Sequence, residues 1–212
     1  MKLIIFSGAG DPNHLKYKPV YENIIDEALT RGYNDILLQG WCGQKSYHQE
    51  GFLSYNTAVV KTKQVLLEAE TSNVPYDVIC RSFGCSTLLK AVSEIKPKLL
   101  RNATLWGPPL FTSFELFKRN LENTIIEGFS KGTYLDKNLY EELFPIEVLI
   151  REFSQNFKLR IAYGTKDPYC TESFAFFLKN SFPNENISYH SVIGAIHEVK
   201  EKNQEYFNAL FY

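Results

Sequence analysis

The chain has 212 residues, 44% of them apolar and 22% charged, which suits one domain with a substantial core. Its 23 basic and 24 acidic side chains give a formal net charge of −1, which argues against a nucleic-acid or anionic-membrane binder. No apolar run approaches the roughly 18–20 residues of a membrane span, and the four cysteines, Cys42, Cys80, Cys85 and Cys170, lack zinc-site spacing.

"KLIIF" (2–6) predicts a first strand. It is too short an apolar run for the core of a secretion signal, so the chain reads as cytoplasmic with free thiols. "YKPVYENIIDEALTRG" (17–32) predicts a helix. Val20, Tyr21, Ile24, Ile25, Ala28 and Leu29 form its apolar stripe, and Gly32 suits its C-terminal cap. "DILLQ" (35–39) is the second strand, followed by a loop with Gly40, Gly43 and Gly51. A second helix is expected over 54–71, with Ala58, Val59, Val65, Leu66 and Ala69 inward. "YDVICR" (76–81) is the third strand. The helix after it carries Leu88, Leu89, Val92 and Ile95 and stops before Pro97. "ATLWG" (103–107), "LRIAYG" (159–164) and "ISYHSVI" (187–193) are three further strands. Helices near 172–181 and 198–210 follow the last two. This alternation predicts a three-layer α/β/α sandwich around a mainly parallel sheet of about six strands. Such sheets bind ligands at the carboxyl ends of their strands.

Residues 108–155 break the rhythm. Thr112 and Glu115 have capping-box spacing, and Phe114, Phe117, Leu121 and Ile125 recur at helical intervals. A second helix is expected from near Asp136, bent at Pro145. A helical insertion at the binding edge reads as a lid; the alternative is an extension of the core. Either way 1–212 is one domain.

The chemistry gathers at the strand ends. Cys80-Arg81-Ser82-Phe83-Gly84 sets a serine between the third strand and its helix. This is the strand-to-helix turn of G-x-S-x-G, with Cys80 in place of the first glycine. A serine hydroxyl needs a base to become a nucleophile, and the base needs an acid to orient it. Asp167 lies just past the fifth strand and His197 just past the sixth, in the order Ser, Asp, His. Asp77 opens a strand at the wrong edge, Asp136 lies in the insertion, and Asp11 precedes the serine in the chain. His190 falls inside a strand, and His14 and His48 lie in loops. The oxyanion donors are expected to be the backbone N–H of Phe83 and that of Ala9 in "SGAG" after the first strand. That loop lacks the third glycine of G-x-G-x-x-G, and the second strand ends in Gln39-Gly40 without an acid, which disfavours a dinucleotide site.

Through "FSGAG", "CRSFG", "YGTKDPY" and "GAIH" the sequence resembles the α/β-hydrolase family, particularly its small single-domain members, over nearly the whole chain. It departs from many members in having Ser7-Gly8 where they have His-Gly, and in Cys80. The resemblance implies a Ser82–His197–Asp167 triad acting on an ester, thioester or amide. It also implies a reduced sheet without the first strands of larger members. No metal or organic cofactor is needed for that chemistry.

Trp41, Trp106 and Arg81 stand near strand ends. With Phe111, Phe114 and Phe117 they are candidates for an apolar acyl pocket with one cation, or alternatively for core. Arg81 would meet a substrate carboxylate or phosphate, or else a structural acid. The expected activity is that of a serine carboxylesterase on a small or medium ester or thioester. Two alternatives stay open: an acyltransferase using the same triad, and a non-catalytic binding protein that keeps the fold.

Overall fold

The computed structural model describes residues 1–46, 51–109, 123, 126, 128, 130, 132–136, 138–142, 145–153, 156–199 and 203–212. Six strands form one sheet: β1 Lys2–Phe6, β2 Asp35–Gln39, β3 Tyr76–Arg81, β4 Leu100–Trp106, β5 Lys158–Gly164 and β6 Ile187–Val192. Their order is β2-β1-β3-β4-β5-β6, and every neighbouring pair is parallel. Parallel strands cannot be joined by a hairpin, so each connection crosses a face of the sheet. The helices whose bounds fall within the described residues are α1 Lys18–Thr30, α2 Tyr55–Thr71, α3 Phe83–Ile95, α4 Leu139–Glu142, α5 Ile146–Arg151, α6 Glu172–Ser181 and α7 Gln204–Leu210.

The period-two alternation along each strand divides the core. Leu3 and Ile5 of β1 face α1 and α7, where they join Val20, Ile24, Tyr206 and Phe207. Ile4 and Phe6 face the other way, toward Leu66 of α2 and Leu88 of α3. The middle strand β3 is buried at all six positions, whereas the edge strand β2 alternates exposed and half-buried residues. Continuous burial on both faces is what a central parallel strand requires.

Several boundaries differ from the sequence reading. β4 begins at Leu100 and ends at Trp106, so Gly107 leaves the strand and turns with φ +56°. The last helix starts at Gln204, because Asn203 caps it by accepting from Tyr206 N at 3.1 Å. Pro145 separates α4 from α5 rather than bending one helix. Residues 132–135 bridge to the loop after β2, through Gln44 with Thr133 and Leu53 with Leu135. Leu135, Leu139, Ile146 and Leu149 are buried in the same cluster as α2 and α3. This part of the insertion therefore extends the core. The expected capping box and the aromatic residues at 111, 114 and 117 lie outside the described residues, as does His48. Among the described residues no helix is long and apolar enough to cross a membrane.

The strand order reverses at β1. The chain passes from β1 to β2 on one side, then returns across β1 to β3 on the other. The loops leaving β1 and β3 therefore diverge and open a crevice at their carboxyl ends.

Leu66 and Leu88 are fully buried between sheet and helices. Leu66→Ala or Leu88→Ala is expected to destabilise the protein by about 2–5 kcal/mol. Leu67→Ala, at a position 52% exposed, should stay within about 0.5 kcal/mol of the parent. Urea denaturation midpoints measure both.

Candidate active site

β3 carries the chain straight to Ser82. The Ser82 N–H donates to the Trp106 carbonyl at 2.9 Å, continuing the β3–β4 ladder by one residue. The backbone then breaks: Ser82 has φ 48° and ψ −119°, a region that L-residues rarely occupy. α3 starts at Phe83, and Cys85 N returns to the Ser82 carbonyl at 2.9 Å. Gly84 makes the turn possible. A Cβ there would lie 2.6 Å from the Ser7 carbonyl oxygen and 3.1 Å from that of Phe6. Cys80 is tolerated where a first glycine was expected because its side chain faces the core with no exposure. Burial pushes the Cys80 and Cys85 thiols well above their ordinary range, so both stay protonated and inert.

Asp167 and His197 meet across the ends of β5 and β6. Asp167 Oδ1 accepts from Tyr169 N at 2.8 Å and Cys170 N at 3.2 Å. The other carboxylate oxygen, Oδ2, lies 2.8 Å from His197 Nδ1. A carboxylate only accepts, so Nδ1 carries the proton and donates, and Nε2 is left as the acceptor. Asp167 is 4% exposed and His197 7%. The Tyr169 ring packs edge-on to the imidazole, with centroids 4.8 Å apart. Gly107 sits directly behind the pair. A Cβ there would come within 2.7 Å of both Asp167 Oδ2 and His197 Nδ1. Among the described residues no hydrogen bond joins Ser82 Oγ to the imidazole.

The loop after β1 borders Ser82: a Cβ on Gly8 would lie 3.3 Å from Ser82 Cβ. The Gly8 N–H donates to Tyr21 Oη at 2.9 Å, so this amide is occupied. The N–H of Phe83 is the first of α3 and has no partner within the helix.

No protein-family model and no curated protein sequence matches the chain. Solved structures do. A monoacylglycerol lipase from Paleococcus ferrophilus superposes with a TM-score of 0.68 at 16% identity, covering 98% of this chain and 91% of that one. A bromoperoxidase from Bacillus anthracis gives 0.68 at 13% identity, covering 98% and 88%. The mouse alpha/beta hydrolase domain-containing protein 10 gives 0.63 at 14% identity, covering 98% and 86%. The fold is that of the α/β-hydrolases.

In an α/β-hydrolase fold the strand ends β3, β5 and β6 are where serine, acid and histidine are sought, and Ser82, Asp167 and His197 stand there. The three residues expected to line an acyl pocket have other surroundings. Arg81 is 3% exposed, Trp41 1% and Trp106 0%. Arg81 Nη2 donates to the His197 carbonyl at 2.7 Å, and Trp106 Nε1 donates to the same oxygen at 2.9 Å. Trp41 Nε1 donates to the Ser7 carbonyl at 3.1 Å, while its ring stacks on Phe6 and meets Phe83 edge-on. These side chains form the packed wall behind the site: Arg81 Nη2 and both indole N–H groups bond to main chain, and the rings pack in the core. Among the described residues Arg81 forms no salt bridge with an acid either. Burial opposes its charge, but the phenols of Tyr21 and Tyr206 and the Glu198 carboxylate outweigh that and hold it protonated.

Sequence reasoning missed Tyr21, Gln44 and Gly107. Tyr21 looked like any other apolar position on the α1 stripe. Gln44 lies in a loop with no chemical motif. Gly107 was absorbed into a strand, although a glycine just past an apolar run is itself a turn signal.

Gly107→Ala tests the packing behind the pair. The variant is expected to lose about 1–3 kcal/mol of stability. It should also lose the downfield proton resonance of a hydrogen-bonded His197 Nδ1–H. One-dimensional proton NMR and thermal denaturation check the two effects.

Proposed function

We propose that the protein is a serine hydrolase that cleaves carboxylic esters of small or medium acyl groups through a covalent acyl-enzyme. The observation that carries this reading is the Asp167 Oδ2–His197 Nδ1 bond at 2.8 Å, beside a serine in a strained turn. Strain of that kind persists only where surrounding structure enforces it, and it is common at catalytic residues. The lipase likeness supports an ester as the substrate class, since a monoacylglycerol is a carboxylic ester.

In the proposed reaction the substrate carbonyl approaches Ser82 Oγ. His197 Nε2 takes the hydroxyl proton as Oγ attacks, the hydrogen bond between them forming as substrate engages. Asp167 holds the Nδ1–H tautomer and stabilises the imidazolium that results. The N–H groups of Phe83 and Ala9 receive the oxyanion, each donor contributing roughly 10²–10³ in rate. The tetrahedral intermediate collapses, and His197 Nε2 gives its proton to the departing alkoxide. Water then repeats the sequence on the acyl-serine, releasing the acid and restoring Ser82. Transfer to an alcohol or amine is the same second half-reaction with another nucleophile. Product analysis with added acceptors separates it from hydrolysis.

A fluorophosphonate probe, which modifies only an activated serine, is expected to label the wild-type protein and not Ser82→Ala. Asp167→Asn should label roughly 10⁴-fold more slowly, because the imidazole then adopts the wrong tautomer. A panel of acyl esters of increasing length would then rank the substrates. A folded wild-type protein that takes no label and turns over no ester would favour the binding-protein reading.

A further inference from the structure

Gln44 has no solvent exposure. Its side-chain amide meets the Ser7 hydroxyl at 3.4 Å and is otherwise turned toward main chain. Nε2 lies 3.0 Å from the carbonyl oxygen of Gly8, 3.2 Å from that of Ala9 and 2.9 Å from that of Gly10. Only the NH₂ end can face three carbonyls, since only it donates. Oε1 points the other way and accepts from Trp41 N at 2.8 Å. One buried amide therefore gathers three consecutive carbonyls of the loop beside Ser82.

This has a stereochemical consequence. In a trans peptide the carbonyl of one residue and the N–H of the next point in opposite directions. Drawing the Gly8 carbonyl toward buried Gln44 turns the Ala9 N–H away from it, toward the open side of the loop. Gly8 itself borders Ser82, where a Cβ would lie 3.3 Å from Ser82 Cβ. The Ala9 carbonyl is held a second time, by Thr133 Oγ1 at 2.9 Å, and Thr133 is the residue bridged to Gln44. The Gly8 N–H is already taken by Tyr21. The loop is thus gripped at its carbonyls, and the Ala9 N–H is turned away from Gln44.

We propose that Gln44 is a positioning residue of the oxyanion hole: its amide, shared by the Gly8, Ala9 and Gly10 carbonyls, sets the direction of the Ala9 N–H. The proposal rests on the serine-hydrolase reading. Gln44 touches neither substrate nor nucleophile and acts through the peptide planes alone. A carboxylate at the same place would set negative oxygen against three carbonyls and drive those planes apart. An apolar side chain of similar length would leave the carbonyls without a donor and release the loop.

The test is the kinetics of fluorophosphonate labelling on wild type, Ser82→Ala, Gln44→Glu, Gln44→Met and Thr133→Val. Loss of an oxyanion donor lowers rate by about 10²–10³, and Gln44→Glu is expected to approach about 10² in the maximal inactivation rate. The probe concentration at half-maximal rate should stay within about twofold, because ground-state binding is untouched. The downfield His197 Nδ1–H resonance should persist, which a general collapse of the site would abolish. Gln44→Met and Thr133→Val are expected to follow in the same direction with smaller losses, and they carry the test if Gln44→Glu does not fold. Folded Gln44 variants that label at the wild-type maximal rate, or that lose only probe affinity, would overturn the proposal while leaving Ser82 as nucleophile. A wild type that does not label at all overturns the hydrolase reading and this one with it.

Discussion

The backbone of Gly84 rests against the carbonyls of Phe6 and Ser7, at a distance no side chain could share. That contact brings the N-terminus of α3 down onto the end of β1. β3 must then turn at once, and Ser82 absorbs the turn in its positive φ. The adjacent β1 loop is pressed against Ser82 at Gly8. Without this close approach the serine would sit in an ordinary strand-to-helix connection, and the β1 loop would have no fixed relation to it. The strain at Ser82 costs about 1–3 kcal/mol. It is sustained by a central strand buried along its whole length and a helix whose inward face is largely buried.

A second layer of organisation lies behind the serine, and it is built from side chains bonded to main chain. Arg81 and Trp106 share the His197 carbonyl. Trp41 holds Ser7, Tyr21 holds Gly8, and Gln44 holds the carbonyls from Gly8 to Gly10. Each of these groups is buried. A buried hydrogen bond to backbone is strong in effect because the alternative is an unsatisfied polar atom away from water. The loops of the site are thus held from below, and their open faces are left for chemistry. Arg81 illustrates the economy of this layer. It stands one residue before the serine, yet its guanidinium fastens the loop that carries the histidine.

The strand order explains why these loops meet at all. Reversal at β1 opens the crevice, and β3, β4 and β5 then follow in sequence order, so Ser82, Gly107 and Asp167 arise from adjacent strand ends. Gly107 completes the arrangement by having no side chain where the imidazole and carboxylate need room.

How much of this was legible depends on the range of the interactions. The strands β2 and β3 and the helix α6 could be read to their end residues, because period and flanking breakers are local properties. Residues Ser82, Asp167 and His197 could be singled out as candidates for the same reason: each follows an apolar run at a recognisable strand end. The roles of Arg81, Trp41 and Trp106 stayed open between pocket and core, because an indole or guanidinium near a strand end looks alike whether it faces a pocket or a wall. Gln44 carried no signal, since the three carbonyls it gathers lie 34 to 36 residues away in the chain. Residue type and periodicity by themselves determined which elements form and where chemistry could gather. Only the tertiary structure decided which polar atoms face each other, because hydrogen-bond geometry across distant loops is set by packing that no local pattern encodes.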